Sequence, residues 1–83
     1  MIVEDLRNVT CGDDPLTYLR NTMKLLYFEC APGQEANLLL MKSRFPYERP
    51  VFESLASINK LEMLNFIEQN GEISVHLKRM GSN

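Results

Sequence analysis

The residues that could carry chemistry in this chain are few and scattered: one histidine, His76, two cysteines, Cys11 and Cys30, and the acidic pair Asp13-Asp14. A general base needs a nucleophile or a carboxylate within hydrogen-bond reach. His76 lies between Ser74 and Lys78 on the polar side of an alternating segment, with no such partner nearby in sequence. It reads as a surface histidine. A zinc site would have to gather Cys11, Cys30, His76 and a fourth ligand, none of them at the usual ligand spacings. Calcium needs six or more oxygens from a loop built to supply them, whereas Pro15 follows Asp13-Asp14 directly. An aspartate before a proline instead marks a helix start, a capping carboxylate ahead of a first-turn residue that needs no N–H. Ala31-Pro32-Gly33-Gln34-Glu35 has one glycine and no Lys-Ser/Thr pair, so it is a turn and not a phosphate cradle. No catalytic, cofactor-binding or metal-binding residue is assigned, and the expectation is a protein that is not an enzyme and needs no cofactor.

One stretch has the composition of a contact surface. In Lys42–Arg49, Lys42, Arg44 and Arg49 surround Phe45 and Tyr47, and Glu48 is the only acid. Arginine and aromatic side chains dominate binding hot spots because they bury much area while losing few rotamers. Pro46 and Pro50 stiffen the segment and lower its ordering cost on binding. Arg44, Phe45, Tyr47 and Arg49 are therefore the candidate partner-binding residues. The competing reading has Phe45 and Tyr47 folding back to extend a thin core while the arginines stay solvated.

Composition bounds what these residues can belong to. Residues 1–83 suffice for a single domain, which buries only about 60–65% of the surface its unfolded chain exposes. So little interior favours working by a presented surface. Nine Lys+Arg against eleven Asp+Glu leave a net charge of −2, which opposes nucleic-acid binding as the main activity. Apolar runs such as Leu25–Phe28 and Leu38–Met41 are far too short to span a bilayer. The acidic start Met-Ile-Val-Glu-Asp-Leu-Arg-Asn is unlike a signal peptide, and two cysteines make a poor disulfide scaffold. A cytoplasmic location with reduced thiols is expected.

The elements that must position these residues are unevenly legible. Ile2, Val3, Leu6 and Val9 fit a helical stripe or a docked N-terminal strand. Pro15 opens a helix carrying Leu16 and Leu19. Beyond it Leu16, Leu19, Met23, Leu26 and Cys30 continue a helical stripe, whereas Leu25-Leu26-Tyr27-Phe28 fills both faces as a buried strand would. The Pro32-Gly33 turn between two apolar runs favours a hairpin of Met23–Cys30 with Ala36–Ser43. Val51, Phe52, Leu55 and Ile58 mark a short helix. Asn59 and Glu62, in capping-box spacing, open a second that stops at Asn70-Gly71. Glu72–Arg79 alternates cleanly with Ile73, Val75 and Leu77 inward, and is the clearest strand. Residues 60–75 resemble the opening helix and turn of bacterial winged-helix repressors. Residues 76–83 hold neither the recognition helix nor the wing that family needs, so that mode of DNA reading is not expected.

The expected fold is a small α+β domain in the order α-β-β-α-α-β. Its three-stranded antiparallel sheet, the hairpin plus the C-terminal strand, is covered on one face by helices from Pro50–Gln69. A mostly helical domain with a C-terminal strand is the alternative. The expected core is Leu19, Met23, Leu25, Phe28, Leu39, Met41, Phe52, Leu55, Leu64, Ile67, Val75 and Leu77. Absent chemistry and small size point to a protein-binding module that regulates, adapts or inhibits a larger protein partner, of a kind common in phages and mobile elements. Such a module is compatible with a homodimer. Two readings compete: a nucleic-acid-associated protein using Lys42, Arg44, Arg49, Lys78 and Arg79 as a basic face, and an accessory subunit of a larger complex.

Overall fold

Strict alternation makes Glu72–Arg79 a strand, with Ile73, Val75 and Leu77 buried and Ser74, His76 and Lys78 on the opposite face. The computed structural model describes residues 1–8 and 14–81. In chain order the elements are β1 (Ile2–Asp5), α1 (Pro15–Glu29), β2 (Glu35–Met41), α2 (Arg49–Ile58), β3 (Leu61–Gln69) and β4 (Glu72–Arg79). The result is an α+β domain with a mixed four-stranded sheet ordered β1-β2-β4-β3. β1 runs parallel to β2, and β4 runs antiparallel to both β2 and β3.

Residues 15–29 are one helix, so the expected hairpin of Met23–Cys30 with Ala36–Ser43 does not exist. The helical stripe wins because Leu19, Met23, Leu26 and the adjoining Cys30 all reach the core. Asp14 starts the helix as expected. Its Oδ1 accepts the Thr17 backbone N–H at 3.2 Å, and its Oδ2 accepts the Thr17 hydroxyl at 2.6 Å. The Thr17 bonds, led by the side-chain one, hold the Asp14 carboxyl below the ordinary carboxylate range. Thr22, buried in the same helix, donates its hydroxyl to the Tyr18 carbonyl at 2.9 Å and so leaves no polar group stranded. The Ala31–Gln34 turn forms with Gly33 at φ 82, the left-handed position of a type II turn, and joins a helix to a strand.

The second correction lies at residues 61–69. They form a strand and not a helix, which also removes the basis of the winged-helix resemblance. Asn70 (φ 55) and Gly71 (φ 77) are a two-residue turn with both central residues left-handed, flanked by the pair Gln69↔Glu72. The helix 49–58 forms, but no helix continues to residue 69, and the order is β-α-β-α-β-β instead of α-β-β-α-α-β. The N-terminal residues 2–5 take the strand option and pair with β2, from Ile2↔Ala36 to Asp5↔Leu39.

Both helices cover one face of the sheet. The core between them is a single cluster that includes Leu19, Met23, Leu26, Phe52, Leu55 and Ala56 from the helices and Leu38, Leu40, Ile73, Val75 and Leu77 from the sheet. Of the expected core, Leu25, Phe28, Leu64 and Ile67 are exposed, and Leu39 and Met41 are half-buried on the uncovered sheet face. Among the described residues, no helix is long and apolar enough to cross a membrane.

Candidate functional site

The segment between β2 and α2 is built around two anchors. Phe45 is wholly buried, its ring 6.3 Å from that of Tyr18. Tyr47 is half-buried, edge-on to Phe52 at 6.3 Å. The Lys42 ammonium donates to the Tyr47 carbonyl at 3.1 Å and to Glu68 Oε1 at 3.2 Å, with Glu48 Oε1 at 3.5 Å. Desolvation works against its charge, but Glu68 and Glu48 outweigh that and raise its pKa above the ordinary lysine value. The loop is thus stapled to the domain. Of the four residues proposed as contacts, Arg44 and Arg49 are exposed, Tyr47 presents part of its surface, and Phe45 has no surface to offer.

The five basic residues considered as a nucleic-acid face are split. Lys42, Arg44 and Arg49 adjoin the Met41 end of β2, whereas Lys78 and Arg79 lie at its Glu35 end, about 20 Å away along the strand at 3.3 Å per residue. Arg79 is further committed. Its Nη1 donates to the Cys30 carbonyl at 2.7 Å, and its guanidinium sits 4.1 Å over the Tyr27 ring. It closes the C-terminal end of α1, where a cation is favoured. Its Nε is buried without a partner.

The uncovered sheet face brings together groups that sequence distance had hidden. Register places Val3, Asn37, His76 and Asn65 in one row and Asp5, Leu39, Ser74 and Ile67 in the next. His76 Nε2 lies 2.6 Å from Glu35 Oε1, a partner 41 residues away. Ser74 donates its hydroxyl to Asn37 Oδ1 at 3.1 Å, so that hydroxyl is engaged by an amide and not by the imidazole. Glu35–His76 and Ser74–Asn37 are polar pairs that engage one another, and the apolar Val3, Leu39 and Ile67 lie in the same rows. At its Met41 end a polar depression of about 330 Å³ is lined by residues including Arg7, Met41, Arg44 and Glu72. The Arg7 guanidinium there already donates to both Asp5 oxygens and to Glu72 Oε1 at 2.9–3.3 Å, so an anion would have to displace two carboxylates. Among the described residues, no group of three or more His, Cys, Asp or Glu is placed to hold a metal ion. Cys30 is a buried free thiol whose pKa burial, and then the Glu29 charge, push up. Cys11 and Asp13 lie outside the described residues.

A surface that the sequence reading missed lies where the two helices end. Leu25 and Phe28, three apart on α1, are 61% and 68% exposed, and Ile58, the last residue of α2, is 69% exposed. A shallow depression of about 170 Å³ between the helix ends is lined by Lys24, Tyr27, Phe28, Ile58, Asn59 and Lys60. Tyr27 packs edge-on to Phe28 in this lining, with ring centroids 5.4 Å apart. The signal available in the sequence was the surplus itself. Leu25 and Phe28 are apolar residues off the core stripe of α1, and the core closes without them.

With this geometry in view, the chain can be compared with known proteins. No protein-family model matches it, and no curated protein matches it at a significant level. Its backbone is similar to the solution structure of HP1264 from Helicobacter pylori, with a TM-score of 0.66. The superposition covers 96% of this chain and 99% of that one, at 15% sequence identity. The likeness is one of fold.

Proposed function

We propose that this protein is a small protein-binding module, a non-enzymatic regulator, adaptor or inhibitor of a larger partner. The observation that supports this reading is the joint exposure of Leu25, Phe28 and Ile58 at one end of a domain whose core is complete without them. A lone exposed apolar residue is ordinary, whereas adjoining large ones rimmed by polar groups mark interaction surfaces. That exposure supports a contact surface at the helix ends. Arg44, Tyr47 and Arg49 lie at the other end of α2, which is about 15 Å long at 1.5 Å per residue. The separation of the basic residues favours a protein partner over a nucleic acid, because phosphate binding draws its affinity from clustered cations.

The test is affinity capture from nuclease-treated lysate with the parent chain and the Phe28→Ser variant as parallel baits. A discrete protein held by the parent and lost by the variant is the expected result. Capture that disappears with nuclease, or that ignores the substitution, would overturn the proposal.

A further inference from the structure

We infer that the surface of Leu25, Phe28 and Ile58 receives an acidic amphipathic helix from the partner protein, with one apolar side chain seated in the depression and carboxylates facing Lys24 and Lys60. This rests on the protein-binding reading above and names the chemistry of the partner. The depression, about 170 Å³, is close in size to an apolar cavity of about 150 Å³ that takes a benzene-sized group. It therefore suits one large apolar side chain, with Leu25 and Ile58 as flanking contacts. Apolar anchors one turn apart are what a helix lying in a groove supplies.

Charge selects among such helices. The depression's only ionisable linings besides the Tyr27 phenol are Lys24 and Lys60. Neither forms an ion pair or a side-chain hydrogen bond among the described residues, whereas Lys42, Arg7 and Arg79 are all committed within the fold. Glu29, one turn beyond Leu25, does not line the depression. Lys60 adds an independent observation. It holds φ 59 just past the end of α2, a left-handed position that glycine or asparagine usually occupies. The lysine there carries a backbone cost and sets a cation beside Ile58 that makes no ion pair among the described residues. The same features disfavour an anionic bilayer, which recruits clusters of about four to eight cations, whereas this chain carries a net charge of −2.

The probes are three designed peptides of about 18 residues, long enough to form a helix, that share one leucine face and carry Glu, Gln or Lys on the polar face. Binding is read by fluorescence anisotropy against the parent chain, Phe28→Ser and the double variant Lys24→Glu/Lys60→Glu. All substitutions are at exposed positions, and circular dichroism confirms folding. The expected order is Glu over Gln over Lys, with about a tenfold span that narrows in raised salt. Phe28→Ser should weaken the Glu peptide about tenfold or more, and the double variant should invert the order. Equal affinity for all three peptides, still dependent on Phe28, would overturn the acidic-partner inference and leave the protein-binding reading intact. No binding of any peptide below about 1 mM would overturn the inference as well. So would Phe28-dependent binding to phosphatidylserine vesicles, or Phe28-dependent dimerisation seen by sedimentation, with the Glu peptide failing to compete.

Discussion

Two phenylalanines in this chain should respond to the same truncation in opposite ways. Phe45 is fully buried against the Tyr18 ring, so Phe45→Ala removes a whole ring from a packed site and leaves a cavity. Such changes cost about 3–5 kcal/mol, including about 0.5–1.5 kcal/mol from the lost ring pair. Stability at about 0.05–0.15 kcal/mol per residue comes to roughly 4–12 kcal/mol for a chain of this length, so the substitution takes a large share of it. With a urea slope of about 1 kcal/mol per molar, the midpoint should fall by about 3–5 M, or the variant should be unfolded at the outset. Phe45→Leu, which keeps most of the volume, should cost about 1–2 kcal/mol and keeps the comparison measurable in that event. Phe28 is 68% exposed, so only about a third of its roughly 2–3 kcal/mol burial value is at stake. Alanine recovers up to about 0.5 kcal/mol of that through helix propensity. Phe28→Ala should therefore lie within about 0.5 kcal/mol of the parent. Urea melts followed by circular dichroism decide the matter. A loss above about 1.5 kcal/mol for Phe28→Ala would show that its ring is covered in the free protein, and the binding-surface argument would fail.

Other expectations follow from the backbone and the charges. Lys60→Gly should leave stability unchanged or raise it by up to about 1 kcal/mol, because glycine takes φ 59 without strain; a clear loss in urea melts would show that the lysine side chain supports the fold. Gly71→Ala should cost about 1–2 kcal/mol from its φ of 77 alone, since nothing lies within 4 Å of the added methyl group; an unchanged midpoint would refute the turn assignment. Asp5, held down to about 2 by hydrogen bonds from the Arg7 side chain and backbone, should contribute stability that is full above about pH 4 and lost as pH falls through 2. Asp5→Asn should flatten that part of the acid limb, and a carboxyl carbon NMR titration near 4 would contradict the pairing.

How much was legible in the sequence depended on whether local pattern and tertiary use agreed. They agree in β4, at the Asp14-Pro15 helix start and in the helix from Val51 to Ile58. They disagree in β3, and the reason is a single extra residue. Leu61 and Met63 face the helices, and the register then slips so that Met63 pairs with Leu77 while Asn65 pairs with His76. Leu64 is the surplus residue, and the next inward position becomes Phe66. A spacing of two thus turns into a spacing of three, which reads as a helix. Asn70-Gly71 compounded the error, since an asparagine and a glycine serve equally as a helix stop and as the centre of a tight hairpin turn. In α1 the disagreement came from Leu25 and Phe28. Apolar residues on both sides of a segment mark a buried strand only if all of them are buried, and these two face outward. The candidate site was hidden for the same reason. The loop aromatics drew attention by their company, yet Phe45 belongs to the core, and the Glu35–His76 contact joins residues 41 apart that no local pattern could connect.

The sheet order also governs the sequence of events in folding. β4 is the last strand in chain order, yet it hydrogen-bonds on both sides, to β3 across a two-residue turn and to β2 across separations such as Ala36↔Leu77. β1 and β2, already joined through α1, can pair with each other, but until residue 72 has been added neither β2 nor β3 has its antiparallel neighbour. The β3–β4 hairpin closes its loop at little entropic cost, whereas the far-separated pairing with β2 carries a larger closure cost. During synthesis the apolar faces of α1, β2 and α2 therefore remain without a completed sheet until β4 emerges, and apolar surface exposed in this way is prone to aggregate.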